Sequence, residues 1–135
     1  MNKLIFWLGL FLIIFFSCEK ENIDTEIDIT LNDWKVIKIK KQGELSYLNA
    51  AESYIFEFIN DTTFTFNLDV NSCGGQYKII SKGSIELGDT YCTEICCDSD
   101  FAEDLRQLIP QMTRYYGKGN ELIFKGQGEI ILGKF

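Results

Sequence analysis

Four cysteines carry most of the reactive side-chain chemistry of this 135-residue chain, namely Cys73, Cys92, Cys96 and Cys97. Four thiolates can hold a zinc ion, and a pair of thiols can serve in redox chemistry. Zinc fits poorly because the adjacent Cys96 and Cys97 cannot easily point at one tetrahedral metal, and the sequence has no Cys-x-x-Cys pair for redox work. The N-terminal segment described below predicts export, and an even number of cysteines in a small exported domain predicts two disulfides.

Four cysteines allow three pairings, of which the sequence disfavours one. Adjacent residues close only a strained ring, so Cys96–Cys97 is the least expected bond. Two arrangements stay open: Cys73–Cys97 with Cys92–Cys96, or Cys73–Cys96 with Cys92–Cys97. A long bridge from Cys73 would close a loop of about 25 residues, which the chain-entropy model values at roughly 3 kcal/mol.

Histidine is absent from the sequence. This excludes serine–histidine and cysteine–histidine nucleophiles and any imidazole metal ligand. Acid–base chemistry would need carboxylates, and the nearest pair, Asp98 and Asp100, is better explained by a position at a helix start. We therefore predict no catalytic residue, no metal and no cofactor. Carboxylate or thiol-redox chemistry is the remaining route to an enzyme.

The N-terminal residues have the pattern of a secretory signal peptide. Lys3 precedes an apolar run over residues 4–16, followed by Ser17, Cys18 and a charged segment. Thirteen residues are too few for the roughly 20 that a membrane-spanning helix needs. A cysteine directly after a small residue resembles the bacterial lipoprotein signal, which implies that residues 1–17 are removed and that Cys18 carries covalent lipid. The alternatives are an ordinary secreted protein and a membrane-anchor helix.

That resemblance implies a protein of the bacterial cell envelope, anchored by lipid at the periplasmic face of the outer membrane or at the cell surface. Residues 18–29 are then the lipidated cysteine and an acidic tether, and residues 30–135 form one domain.

Charge limits the partners of the chain. Without residues 1–17 the chain has 12 basic and 20 acidic residues, a net charge of −8. Such a chain is repelled by phosphate backbones, so we predict that it does not bind nucleic acid. The same charge argues against adhesion to anionic membranes through basic patches, which leaves the lipid as the predicted contact with the bilayer.

The hydrophobic pattern predicts a mostly β (α+β) fold. About eight segments have apolar residues at alternate positions, whereas residues 101–109 have helical spacing that begins with a capping box of Asp100 and Glu103 and ends before Pro110. The connections are too short for parallel crossovers. We therefore predict a small antiparallel β-barrel or curled meander with one short helix packed on it.

The order of these signals resembles that of META-type domains of small bacterial lipoproteins. The matching pieces are Trp34, the turn at residues 71–77, the run at residues 93–97, the helix and the closing strands around residues 122–124. The resemblance implies a bridge between Cys73 and Cys97 and an envelope-associated, non-catalytic protein. Lipocalin-like lipoproteins share the barrel and an early tryptophan and are a close rival.

Three functions are compatible with these features. The favoured one is a non-catalytic envelope lipoprotein that acts by protein–protein contact, with a partner the sequence does not identify, or that has a role in envelope stress or maintenance. The alternative is lipocalin-like binding of a small apolar ligand in a cavity lined by Phe56, Phe64, Phe66 and Tyr77. An enzyme or redox protein is the third. A chain this small and rich in phenylalanine is expected to fill its barrel with side chains.

Overall fold

The computed structural model describes residues 21–135. The predicted signal peptide, residues 1–17, and the predicted lipid attachment site Cys18 lie outside the described residues. No helix between residues 21 and 135 has both the length and the apolar character needed to cross a bilayer.

Ten strands and one α-helix make up the described chain. Two 3₁₀ turns, Ile29–Leu31 and Ile109–Gln111, lie before the first long strand and directly after the helix. The elements are β1 (Ile23–Asp24), β2 (Trp34–Lys41), β3 (Leu48–Asn49), β4 (Ile55–Phe58), β5 (Thr63–Asn67), β6 (Ser72–Ser81), β7 (Ser84–Cys92), α1 (Asp100–Leu108), β8 (Met112–Lys118), β9 (Glu121–Gly126) and β10 (Gly128–Lys134).

Eight of the strands form a closed antiparallel barrel. Strands β2, β4, β5, β6, β7, β8, β9 and β10 each pair with the next in chain order, and the last, β10, pairs with the first, β2. The two short strands are additions outside the ring, β1 beside β8 and β3 beside β2. The predicted mostly β fold, an antiparallel barrel with one short helix, is confirmed.

Strands β6 and β7 are longer than the two alternating runs, residues 76–80 and 84–87, for which the sequence pattern predicts a hairpin. Gly74 and Gly75, interpreted from the sequence as part of a turn, lie within β6 and pair with both neighbouring strands. A Cβ at Gly75 would lie 2.8 Å from the Asp89 carbonyl oxygen and 2.9 Å from the Phe64 ring. Glycine is required here because two strands and a core ring approach the backbone closely.

The helix closes one end of the barrel, and its cap differs from the prediction. Ser99, not Asp100, is the N-cap: its hydroxyl accepts a hydrogen bond from the Ala102 backbone N–H. Glu103 instead accepts a hydrogen bond from Arg106 Nε at 2.8 Å. On the inner side, Ala102, Leu105 and Leu108 are buried. The helix ends at Leu108 and Pro110 lies in the following 3₁₀ turn, as proline chemistry predicts.

The segment before β2 closes the opposite end, which corrects the predicted tether. Ile23 and Asp24 pair with β8, and Ile29 is only 2% exposed. The Trp34 indole N–H donates to the Ile29 carbonyl oxygen at 2.8 Å. Alternating isoleucines among the acidic residues allow this segment to pack, so residues 23–29 belong to the folded domain.

Candidate functional site

The four residues predicted to line a ligand cavity lie together inside the barrel. Phe56, Phe64 and Phe66 stack on one another with ring centroids 5.0–6.2 Å apart, and Phe124 approaches Phe56 at 5.9 Å. The four phenylalanines, including Phe124, are each at most 3% exposed. Aromatic rings at these separations are in packing contact, so they fill the interior rather than line an open cavity.

Tyr77 belongs to the same packed interior. Its ring meets Phe58 edge to face at 4.8 Å, and its hydroxyl donates to the Asn60 carbonyl oxygen at 2.8 Å. Burial raises the pKa of the Tyr77 hydroxyl above its ordinary value, which keeps the group neutral near pH 7. Tyr77 therefore fastens the β4–β5 turn to the barrel.

The cysteines pair differently from both predicted arrangements. Cys73 is bonded to Cys92, with their Cα atoms 4.0 Å apart, and Cys96 is bonded to Cys97. The bridges from Cys73 to Cys97 or Cys96 are therefore wrong, as is the expectation that the adjacent pair would be avoided. The reason is strand register: Cys73 and Cys92 are directly opposite on β6 and β7, a pairing that the predicted shorter strands did not reach.

A polar network holds the loop between β7 and the helix against the β5–β6 turn. Asn71, the one buried polar residue among residues 21–135, is its centre. Its amide group donates to Asp98 Oδ2 at 2.6 Å and to the Ile95 carbonyl oxygen at 2.7 Å. Its amide oxygen accepts from the Ile95 N–H and the Thr93 hydroxyl, both at 2.8 Å. A local sequence pattern does not indicate this role, because its partners are more than 20 residues away.

Two carboxylates of this region serve as fixed acceptors. Asp98 also accepts from the Val70 N–H at 3.0 Å, while Asp69 accepts from the Tyr54 hydroxyl and the Ser99 N–H, both at 2.6 Å. Burial by itself would raise the pKa values of both groups, but these hydrogen bonds outweigh it and lower them. Both carboxylates are therefore ionised at neutral pH and occupied by structural partners.

The concave surfaces of the barrel lie on its outside. Two adjoining depressions of about 630 Å³ each cross strands β4 to β7 and share Thr65, Gly74 and Tyr91. Gly74 provides no side chain to fill the space, and Tyr91 is 78% exposed beside it. We call this surface the Tyr91 groove. Sequence reasoning missed it, because it forms only when Gly74 and Tyr91 become cross-strand neighbours.

The part of the chain that the structure describes contains no ready-made metal site. No three Cys, Asp or Glu side chains between residues 21 and 135 are grouped so that they could hold an ion. The arrangement of side chains there is that of a packed barrel with an external groove.

The fold is that of a closed eight-stranded meander barrel with a helix at one end. No family model matches the chain, and no curated protein matches it either. The resemblance to META-type domains therefore stays a prediction.

Two solved structures share the fold. One is the crystal structure at 1.00 Å resolution of a DUF4847 family protein from Bacteroides vulgatus ATCC 8482, with a TM-score of 0.57 and 11% identity over 77% of this chain and 92% of that one. The other is the NMR structure of a protein from Burkholderia xenovorans, with a TM-score of 0.62 and 8% identity over 77% of this chain and 81% of that one. At these identities the likeness extends to the fold alone.

Proposed function

We propose that this chain is a lipid-anchored bacterial envelope protein whose barrel acts by contact with another protein, without catalysis. The N-terminal pattern supports export and lipid attachment at Cys18, since a short apolar run ends at Ser17 and is followed by a cysteine. The two disulfides of the folded domain suit an oxidising compartment.

The packed interior is the observation that carries the proposal. Stacked rings of Phe56, Phe64 and Phe66 occupy the space that a lipocalin-like protein would keep for its ligand. With the interior filled, we assign partner binding to the outside of the barrel, at the Tyr91 groove, where two depressions adjoin. Binding of a small apolar ligand inside the barrel is the alternative, and it would require these rings to separate.

The proposal of a non-catalytic role is supported by the state of the carboxylates. Asp69 and Asp98 are ionised, hydrogen-bonded to backbone N–H groups and fixed in a loop network. A general acid or base needs a carboxyl group that can exchange a proton with substrate near the working pH. The pKa values of Asp69 and Asp98 are instead lowered, so both carboxylates stay ionised near neutral pH.

Anchoring is tested in cells with Cys18→Ser, which removes the thiol that lipid would modify. We expect loss of palmitate incorporation and release of the barrel from the membrane fraction, with Ser17→Ala as a matched control that keeps a small residue before the cysteine. A Cys18→Ser protein that is still labelled by palmitate would contradict the anchor.

Contact is tested with a photo-crosslinking phenylalanine analogue in place of Tyr91, and separately in place of the fully exposed Leu45 as a control. In intact cells we expect one discrete protein adduct from position 91 and none from position 45. Thr65→Arg, which places a long charged side chain in the groove, should abolish that adduct. The same adducts from both positions would contradict a role for the groove.

A further inference from the structure

The outer surface of strands β8, β9, β10 and β2 concentrates positive charge. One cross-strand row runs through Arg114, Lys125, Glu129 and Lys40, and the next through Tyr116, Ile123, Ile131 and Lys38. A third row contains Lys118, Glu121, Gly133 and Lys35. We call this surface the basic face and define it by six residues: Lys35, Lys38, Lys40, Arg114, Lys118 and Lys125.

The basic face has the opposite sign to the chain as a whole. It holds six of the 13 Lys and Arg residues, against two acidic residues, Glu121 and Glu129, in its three rows. Glu21, which precedes the rows in the chain, pairs with Lys118 and brings the net charge of this surface to +3, in a chain whose formal net charge is −7. The tertiary structure thus gathers basic residues on one surface, and the net charge of the whole chain does not reveal this.

The lysines are held around one aromatic ring and one carboxylate. Lys38 Nζ and Lys40 Nζ each lie 4.7 Å from the centre of the Tyr47 ring, and the Tyr47 hydroxyl donates to Glu129 Oε2 at 2.8 Å. Glu129 also meets Lys40 Nζ at 3.0 Å and Lys125 Nζ at 3.8 Å. One carboxylate cannot neutralise three ammonium groups, so positive charge stays available to an anion.

Beneath these charges lies an apolar and aromatic layer. Ile123 and Ile131 point outward from the barrel yet are only 4% and 7% exposed. Lys125 Nζ lies 5.7 Å from the centre of the Tyr116 ring. Tyrosines with an apolar body and a polar tip, flanked by lysines with long stems, suit the interface between water and lipid headgroups.

The chain enters the barrel beside this face. Strand β1 pairs with the side of β8 away from β9, and Glu21 Oε1 lies 2.6 Å from Lys118 Nζ. Cys18 is three residues before Glu21, a covalent distance of at most about 11 Å. A lipid on Cys18 would therefore keep the basic face, rather than the Tyr91 groove, close to the bilayer.

We propose that the basic face lies against an anionic membrane surface and that its lysines and arginine bind lipid headgroup phosphates. The location of this face beside the bilayer rests on the lipid anchor at Cys18 proposed above. The lipid holds the chain at the membrane, and the face orients the barrel there. The Tyr91 groove, which crosses the other four strands, then faces away from the lipid.

Vesicle sedimentation tests this orientation without the lipid anchor. The closed barrel and both of its ends lie within residues 21–135, so the chain from Glu19 onward can be used unlipidated. We expect it to sediment with vesicles containing about 30% phosphatidylglycerol at low salt, and to remain in solution with pure phosphatidylcholine or at about 0.5 M salt.

Matched charge variants identify the surface responsible. Lys35→Gln with Lys38→Gln and Lys125→Gln should lower the partition coefficient about tenfold or more. Lys78→Gln with Lys82→Gln and Arg106→Gln, an equal change in charge on residues outside the four strands of the face, should change it less than twofold. Equal melting temperatures of the two triple variants exclude unfolding as the cause.

The proposal would be overturned if the wild-type chain did not bind vesicles, if the two triple variants lost binding equally, or if binding did not depend on salt. A basic face that captures an acidic polypeptide but no vesicle would also overturn it. The fragment from Glu19 onward carries no lipid, so any of these failures leaves the proposed lipid anchor at Cys18 untouched. Loss of the anchor in cells would in turn leave the vesicle result intact.

Discussion

Cys73 and Cys92 form the crosslink that joins two neighbouring strands of the barrel wall. They lie opposite each other on β6 and β7 and are 19 residues apart in sequence. A bridge of this kind stabilises the fold by restricting the unfolded chain, and Cys73 is also part of the hydrophobic core.

Removal of this bridge should be costly. For Cys73→Ala with Cys92→Ala we expect a loss of about 3 kcal/mol in the free energy of unfolding, measured by urea denaturation at equilibrium. Cys96→Ala with Cys97→Ala opens no chain loop and should cost much less. Proteolysis without reductant should yield a peptide of Cys73 linked to Cys92; a peptide linking Cys73 to Cys97 would contradict the pairing.

Two elements at the ends of the barrel owe their positions to contacts distant in sequence. Ile29 lies in the 3₁₀ turn that closes one end, and this turn packs against strand β4. The loop before the helix is fastened at the other end through Asn71 and Asp98. Both segments are short and would not keep these conformations alone.

Truncation of Ile29 tests whether the segment before β2 is part of the fold. Ile29→Ala should reduce the free energy of unfolding by about 2–4 kcal/mol, because it leaves a cavity under the turn. Ile23→Ala removes the same atoms from a side chain that is 55% exposed, and should cost less than about 1 kcal/mol. Equal, small losses in urea denaturation would restore the interpretation of this segment as a tether.

Acid should weaken the loop network. The folded pKa of Asp98 lies below its ordinary value of 3.8, because hydrogen bonds from Val70 and Asn71 outweigh burial. Its stabilisation is therefore present above about pH 4 and is lost as pH falls through the lowered folded pKa. We expect Asp98→Asn to cost about 1–2 kcal/mol at pH 7 and to make unfolding less dependent on pH between 5 and 3.

The control for this pH dependence is Asp33→Asn, because within residues 21–135 the Asp33 carboxylate has no hydrogen-bond or ion-pair partner. Thermal unfolding followed by circular dichroism across this pH range makes the comparison. An Asp98→Asn protein with the pH dependence of the wild type would show that the network does not depend on the ionised carboxylate.

The molecule as a whole is a filled barrel whose surfaces differ in character. Core rings occupy the inside, the Tyr91 groove crosses four strands, and the basic face covers the other four. Contact with other molecules is therefore expected on the outside, where each half of the wall has its own chemistry.

An apolar fluorescent fatty-acid probe checks the interior directly. We expect no saturable binding by the wild-type barrel, since ring packing leaves no entry. Phe64→Ala should open a cavity, cost about 3–5 kcal/mol of stability and admit a small apolar molecule such as benzene. Saturable, tight binding of the fatty-acid probe by the wild-type protein would instead favour the lipocalin-like alternative.

The sequence alone determined the local architecture of this protein. Alternating apolar residues in eight segments and helical spacing before Pro110 were enough for the mostly β fold, the single short helix and the place where it ends. These features were predictable because the spacing of apolar residues that marks a strand or a helix involves only residues close together in the sequence. The clustering of Phe56, Phe64 and Phe66 in the interior followed from the same alternation.

Only the tertiary structure decided the cysteine pairs, the packing of Ile29, the Tyr91 groove and the basic face. Each depends on which residues of separate strands become neighbours, and register is set by the closure of the whole barrel. Lys40 and Lys125 are 85 residues apart in sequence, yet both meet Glu129 across adjacent strands. Composition therefore predicted an acidic chain, whereas strand pairing created a positively charged surface on it.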